Sequence, residues 1–434
     1  MKILLIYVIQ QDFAEQNLKK GFFYELFKKK GSFQRSLTIP ILAALIPEEH
    51  TVEVVEGTYE DVDFDKHYDL VGISFMTEIS YLAYEISDEF RKRGVTVVMG
   101  GWHSSALPLE VKQHADAVFI GESEDTWPQF LKDFEKGMIK PFYEQEKPVD
   151  PAAIPNPRVD VYNGKSSFNV QATRGCPYGC VFCAITHMRF RNIFRKRPIG
   201  NVIKEINRLP NKTIFFNDNS LTVDPSYSKE LFRDMNGLDK NFFGYGNIDV
   251  LGQDDEFLKL ASEAGCFAWV IGLESICQDS LKEAGKKTNQ VDSYLSSIKN
   301  IRNHGMAVIG FFVFGFDHDT ANIFDLTNDF VRKSDIDIPN AFTLTPYPGT
   351  PLYDRLEWEG RILTKDWSKY NSTDVVFQPK NMSAEELMVS VKDLRNKWDK
   401  SYNLVIRTLK GIRLSPTAFF YVSNRNLINK LLKY

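Results

Sequence analysis

Cysteine and histidine are scarce in this 434-residue chain, with five of the first and seven of the second. So few cysteines over such a length argue against a disulfide framework, and Cys176, Cys180, Cys183, Cys266 and Cys277 fit a reducing cytosol. No apolar run approaches the ~18 residues of a membrane span, so the chain reads as cytoplasmic, soluble or peripheral on the inner face of a membrane. The opening stretch, Met1 to Ile9, is apolar but is followed by Gln10-Gln11-Asp12 with no small-residue cleavage site, and it reads as a buried strand. Charge of one sign is lacking too. A net charge of −4 gives no global reason to expect nucleic acid. Apolar residues are plentiful at 43% of the chain, against 25% charged, enough for the large cores of two or three domains.

In the N-terminal third, short apolar runs alternate with helical patterns. Strands are expected at Lys2–Val8, Thr51–Val55, Leu70–Phe75, Val95–Met99 and Ala117–Ile120, and helices near Thr38–Ile46, Ile79–Lys92, Leu109–Gln113 and Thr126–Glu135. That alternation implies α/β architecture with a doubly wound parallel sheet, which binds ligands at the carboxyl ends of its strands. Polar or glycine-rich turns sit there: Ser74 to Thr77, Gly100-Gly101-Trp102-His103 and Gly121-Glu122. A proline-bearing linker spans 147–164. Six further βα units follow, with strands at Phe168–Thr173, Thr213–Phe216, Phe243–Ile248, Ala268–Gly272, Ala307–Phe314 and Ala341–Thr345, and they imply a partial TIM-type βα barrel. The expected division is 1–146, a linker, a barrel over 165–366, and a helical, basic region over 367–434.

Directly after the first barrel strand stand Cys176, Cys180 and Cys183, in a C-x3-C-x2-C spacing. Three thiolates from one loop can hold three irons of a 4Fe–4S cube and leave the fourth open to a substrate or cofactor. Structural zinc is the rival reading, but it wants four ligands, and only His187 lies near to complete a set. Cys266 is expected to pack in the core.

The triplet, with the aromatic Phe182 before its last cysteine, resembles the signature of radical S-adenosylmethionine (SAM) enzymes. The likeness runs over roughly the whole chain and is closest to radical SAM proteins with an N-terminal cobalamin-binding-type domain, a group that includes hopanoid and lipid methylases and the anaerobic tetrapyrrole cyclase. The resemblance implies that a 4Fe–4S cluster on the three cysteines cleaves SAM reductively to attack an unactivated carbon, with a reductant such as flavodoxin or ferredoxin. It assigns SAM to Phe182, to Asp218 and Asn219 after the second barrel strand, to Asn247 after the third, and to Glu274 in a Gly-x-Glu-Ser segment; Asn217 departs from the usual Asp-Asp-Asn. Cobalamin is assigned to Ser74, Thr77, Gly100, Gly101, His103, Gly121 and Glu122. Ser74-Phe75-Met76 precedes Gly100-Gly101 at the S-x-L…G-G spacing of cobalamin domains. The D-x-H-x-x-G half of that pattern should fall near Phe27 to Ser32, where no histidine stands, and Asp65-Lys66-His67 precedes a strand rather than following one. Cobalamin-dependent methylation of a lipid or isoprenoid-type substrate is the reading favoured, with cobalamin-free cyclisation, rearrangement or C–C coupling, and a non-catalytic iron–sulfur protein, as alternatives.

From Arg395 to the last residue there are nine basic side chains and one acid, a segment of +8 that leaves −12 for the rest. Ser383-Ala384-Glu385-Glu386 is a capping box that opens a helix expected to run through about Lys410. Basic residues interleaved with Phe419, Phe420, Tyr421 and other apolar ones suit an anionic membrane surface. A basic cap packed on an acidic barrel is the competing reading, and nucleic acid is not expected.

Overall fold

The β-branched and aromatic runs of the first third become strands because each can be buried on both faces, as parallel sheets require. In the computed structural model, which describes residues 1–9, 36–162 and 169–431, they are β1 (Lys2–Val8), β2 (Thr51–Gly57), β3 (Leu70–Phe75), β4 (Thr96–Gly101), β5 (Ala117–Ile120) and β6 (Phe142–Glu144). All neighbours are parallel, in the order β2-β1-β3-β4-β5-β6. Helices α1 (Thr38–Ala44) and α3 (Thr126–Glu135) cover one face and α2 (Ser80–Lys92) the other. Strand order reverses between β1 and β3, so the switch point that receives ligands in such sheets lies at their carboxyl ends. The expected Phe27–Ser32 segment lies outside the described residues.

A second parallel sheet of six strands follows, in the order β14-β13-β12-β11-β10-β7. Its strands are β7 (Asn169–Val170), β10 (Thr213–Phe216), β11 (Asn241–Tyr245), β12 (Cys266–Glu274), β13 (Ala307–Phe314) and β14 (Ile338–Thr343). Trp269, Ile271 and Leu273 of β12 point outward into the main core beneath the helices. Phe267 and Val270 point inward. The outer helices include α4 (Ile199–Arg208), α5 (Pro225–Met235), α6 (Asp255–Glu263), α7 (Gln278–Glu283), α8 (Tyr294–Asn303), α9 (Ile323–Ser334) and α10 (Pro351–Trp358).

Three expectations change. The first barrel strand is not continuous: after β7 the chain turns, and β8 (Thr173–Arg174) pairs antiparallel with β9 (Arg195–Lys196). Phe168 lies outside the described residues. β11 stops at Tyr245, and Ile248 begins a helix through Gln253. The helix expected through about Lys410 breaks into α11 (Ala384–Trp398) and α12 (Ser401–Lys410), and α13 (Pro416–Leu431) follows. Ser383 caps the first of these in a full capping box. The proline-bearing stretch after β6 is anchored, since Val149 and Ile154 are buried against Leu37 and Ile41.

Candidate active site

The cysteine loop is shaped by its glycines and tied down by its backbone. Gly175 has φ +86°, and a Cβ there would lie 2.1 Å from the Ile193 carbonyl oxygen, so no other residue fits. Cys176 N–H donates to the Arg191 carbonyl (2.8 Å), Val181 N–H to that of Ala284 (3.0 Å), and the Thr186 hydroxyl to that of Cys176 (2.7 Å). His187 Nε2 lies 3.1 Å from the Cys180 carbonyl oxygen, tying its ring to the loop backbone. Three thiolates on one short loop fit a 4Fe–4S cube, in which each binds a different iron. Burial pushes all three thiols up, Cys180 to about 11, and the Lys286 ammonium opposes it.

Around the loop, the barrel's strand ends divide into spent and unspent groups. Asp218, expected on SAM, is spent. Its carboxylate accepts from the N–H groups of Ala172 and Thr173 and from the Thr173 hydroxyl, pinning the kink between β7 and β8. The side-chain amide nitrogens of Asn219 and Asn247 are buried, that of Asn219 without a partner in the protein and that of Asn247 with only the Tyr178 hydroxyl beside it. Buried donors short of partners are costly unless a ligand satisfies them, and these two fit the acceptor-rich end of SAM. Phe182 packs edge-on against Phe316. Glu274 ends β12 in the left-handed region at φ +61°, a strained backbone for a glutamate. Its Oε1 is 3.0 Å from Lys286 Nζ. The sequence reading missed Lys286, whose one signal is its place next to Gly285 just after α7.

At the carboxyl end of the N-terminal sheet, Ser74, Gly100 and Gly101 line one crevice with Leu5, Gly72 and Trp127. Side chains are excluded there: a Cβ on Gly72 would lie 2.9 Å from Leu5, and one on Gly101 (φ +109°) 2.4 Å from the Phe75 carbonyl oxygen. Glycine is thus required at both positions, and the crevice lies at the strand ends where sheets of this kind take ligands. Thr77 is buried just beyond β3. His103 is elsewhere: fully buried, it contacts Phe75, Tyr84 and Trp367, and its Nε2 lies 3.0 Å from the Tyr84 hydroxyl. Gly121 (φ +92°) leaves room for Gln145. Glu122 serves the protein itself: Arg195 grips both its oxygens (2.6 and 2.9 Å), and Arg191 lies 2.9 Å away. Sequence reading also missed Glu78, whose Oε2 is buried without a partner.

The radical SAM superfamily model matches residues 170–331. Two methyltransferases of Chlorobaculum tepidum are similar along most of their length. The bacteriochlorophyllide d C-12(1)-methyltransferase is 31% identical, over 91% of this chain and 89% of that one. The C-8(2)-methyltransferase is 32% identical, over 83% and 84%. Among solved structures, the radical SAM methyltransferase TsrM from Kitasatospora setae, with cobalamin and a 4Fe–4S cluster bound, shares the fold over 99% of both chains, with a TM-score of 0.70 at 14% identity. The chain therefore belongs to the radical SAM superfamily, in one family with the Chlorobaculum methyltransferases, and it is an enzyme that works with a 4Fe–4S cluster and SAM.

Proposed function

We propose that this enzyme methylates an unactivated carbon of a large apolar substrate, with cobalamin held by the N-terminal sheet. The observation that carries the reading is the glycine-walled crevice at Ser74, Gly100 and Gly101. It belongs to a sheet end tied through Glu122 to Arg191 and Arg195, which flank the cysteine loop. When bound, the cluster and SAM supply a 5′-deoxyadenosyl radical and methylcobalamin supplies the methyl group; the protein's part is to position them and keep water out. In this reading Cys176, Cys180 and Cys183 hold the cluster, the Asn219 and Asn247 amides and Glu274 hold SAM, and Phe182 packs beside it. Ser74, Thr77, Gly100, Gly101 and Gly121 form the cobalamin side. Asp218, His103 and Glu122 shape the walls without touching either ligand. The segments 1–146, 165–366 and 367–434 would serve as cobalamin, catalytic and C-terminal units joined by the 147–164 linker. A low-potential flavodoxin or ferredoxin would deliver the electron.

The two Chlorobaculum relatives, named as methyltransferases of bacteriochlorophyllide d, support methylation. For the substrate we infer a lipid or similarly apolar molecule, taken by an enzyme resting on the cytoplasmic face of a membrane. Exposed Val405, Leu409, Ile412 and Phe420, close to exposed Lys400, Arg413 and Arg425, support this. No helix among the described residues is long and apolar enough to cross a membrane.

The test is retention of cobalamin. Full-length protein incubated with hydroxocobalamin should carry about one per chain through gel filtration, and Gly100→Leu, which walls off the crevice, should carry none. Loss of cobalamin from the unaltered protein would move cobalamin-free radical chemistry ahead. In His103→Ala the spectrum of bound cobalamin should not change.

A further inference from the structure

We propose that Lys286 sets the charge of the cluster site: its ammonium holds Glu274 in position and eases one-electron reduction of the cluster on Cys176, Cys180 and Cys183. Three independent features place it. The backbone ties its segment to the loop, because Val181 N–H donates to the Ala284 carbonyl and Lys286 N–H to that of Leu281 (2.9 Å). Gly285, at φ +67°, turns that segment against the loop: its Cβ position lies in ordinary contact with the loop, 3.6 Å from the Gly179 carbonyl oxygen and 3.8 Å from the Cys180 Cα. Gly272 then reserves the space for the ion pair. A Cβ there would sit 2.3 Å from Glu274 Oε1 and 3.1 Å from Lys286 Nζ, so the pair fills a volume no larger residue leaves free.

The Lys286 side chain is only 14% exposed and that of Glu274 9%. Burial works against the ammonium, but Glu274 and the thiols Cys180 and Cys183 more than offset it, so Lys286 stays charged. The same charge reaches Cys176 and, across the mouth, Asp249. A buried lysine beside one glutamate would ordinarily be a neutral pair. Here the segment that carries the ammonium also abuts the loop of the three cysteines, and reduction of a cluster held there adds one more negative charge beside it. A fixed cation stabilises the reduced form more than the oxidised one, and Glu274 counters it. The step is a single electron passing from a low-potential donor, dithionite in the experiment, to the cluster; the donor is oxidised and no bond breaks. Lys286 acts through charge and through Glu274, so it is a positioning residue.

The inference rests on the three cysteines holding the cluster, and the experiment separates the two claims. Full-length protein is reconstituted anaerobically without SAM, its iron is counted, and the reduced cluster is titrated by electron paramagnetic resonance against potential. Lys286→Met with about four irons should show a tenfold lower ratio of reduced to oxidised cluster at the unaltered protein's midpoint, a downward shift of about 59 mV. Lys286→Arg, which keeps the charge, should titrate as the unaltered protein does. Glu274→Gln frees the cation from its counter-charge and should shift the midpoint upward. Opposite shifts from the two partners cannot come from general damage. An unmoved midpoint in Lys286→Met, or equal shifts in the Met and Arg variants, overturns the proposal. Where Lys286→Met holds no iron, Glu274→Gln decides, and a midpoint unmoved or lowered there overturns it. No iron in the unaltered protein would instead sink the cysteine assignment.

Discussion

Asp218 ends β10 with its carboxylate turned back on the chain that leads into the cysteine loop. Burial holds its pKa up to about 6 although every neighbour is a donor. A raised carboxyl pKa favours folding below the ordinary value of 3.8 and loses that contribution as pH rises through 6. Removing the acceptor is a different matter, because each orphaned buried donor costs about 1–3 kcal/mol. Asp218→Ala should therefore unfold at lower urea and retain fewer than four irons after desalting. Asp218→Asn, which keeps one acceptor oxygen, should fall between. Full iron in the Ala variant would show that the kink needs no pin. This residue also shows where motif reading stops. Spacing placed a polar strand end at Asp218-Asn219, but that the Asp218 carboxylate turns back on the chain depends on a kink at Gln171 and Ala172 that no local pattern announces. Lys286 was invisible for a related reason, since its partner Glu274 is twelve positions away and across a turn.

Elements with strong periodicity were legible. β1, β3, β5 and α3 fall where apolar runs and helical spacing put them, and β13 is bounded by its own turn residues. β6, only three residues long, has too short a pattern to register, and the helix expected through Lys410 was read as continuous because Asp399-Lys400 was not read as a break. Structure also redistributes the basic tail. Arg395 and Arg407 donate to the carbonyls of Ala341 and Trp398, and Lys397 and Lys410 pair with Asp325 and Asp335. Leu414, Ala418 and Val422 are buried on the barrel's inner face, and Tyr421 packs on Phe243 and Phe267. Much of the tail is thus a plug, and cutting at Lys400 would open the barrel. Point changes on its outer surface are the cleaner test. Val405, Leu409 and Ile412 recur at helical spacing with Phe420 nearby, and each is more than half exposed. In flotation with anionic liposomes, Leu409→Glu/Ile412→Glu/Phe420→Glu should lose most binding and keep its unfolding free energy in urea within about 0.5 kcal/mol. Neutral liposomes should bind the unaltered protein less, and higher salt should weaken binding to the anionic ones. Equal flotation of variant and unaltered protein would remove the membrane reading.

At the scale of the whole molecule, the carboxyl ends of two parallel sheets are joined by one buried charge cluster. Glu122 follows β5 of the first sheet, and Arg174, Arg191 and Arg195 flank the cysteine loop of the second. Glu124 adds a second carboxylate, 2.6 Å from Arg174. The Glu122 side chain is only 1% exposed. Burial alone would raise its pKa, but Arg195, Arg191 and Arg174 together hold it down, from 4.5 to about 2. A depressed carboxylate contributes stability above its unfolded value and loses it as pH falls through the folded one. Here that contribution is full above 4.5 and gone near 2, and the shift corresponds to about 3 kcal/mol. Glu122→Gln keeps the shape and deletes the charge, leaving buried arginines with one fewer counter-ion, a loss of about 3–5 kcal/mol when a buried pair is broken. The urea midpoint of the variant should therefore lie well below that of the unaltered protein at pH 7. The gap should narrow steadily as both are titrated from pH 5 toward 3, because only the unaltered protein has this proton to gain. Acid loss of the cluster affects both proteins alike, so the difference between them is the quantity to follow. A gap that stays constant with pH would mean that Glu122 acts through its shape and the hydrogen bonds of Gln145, not through its charge. If the gap closes as expected, the same ion cluster that joins the N-terminal sheet end to the cysteine loop also makes their alignment sensitive to acid.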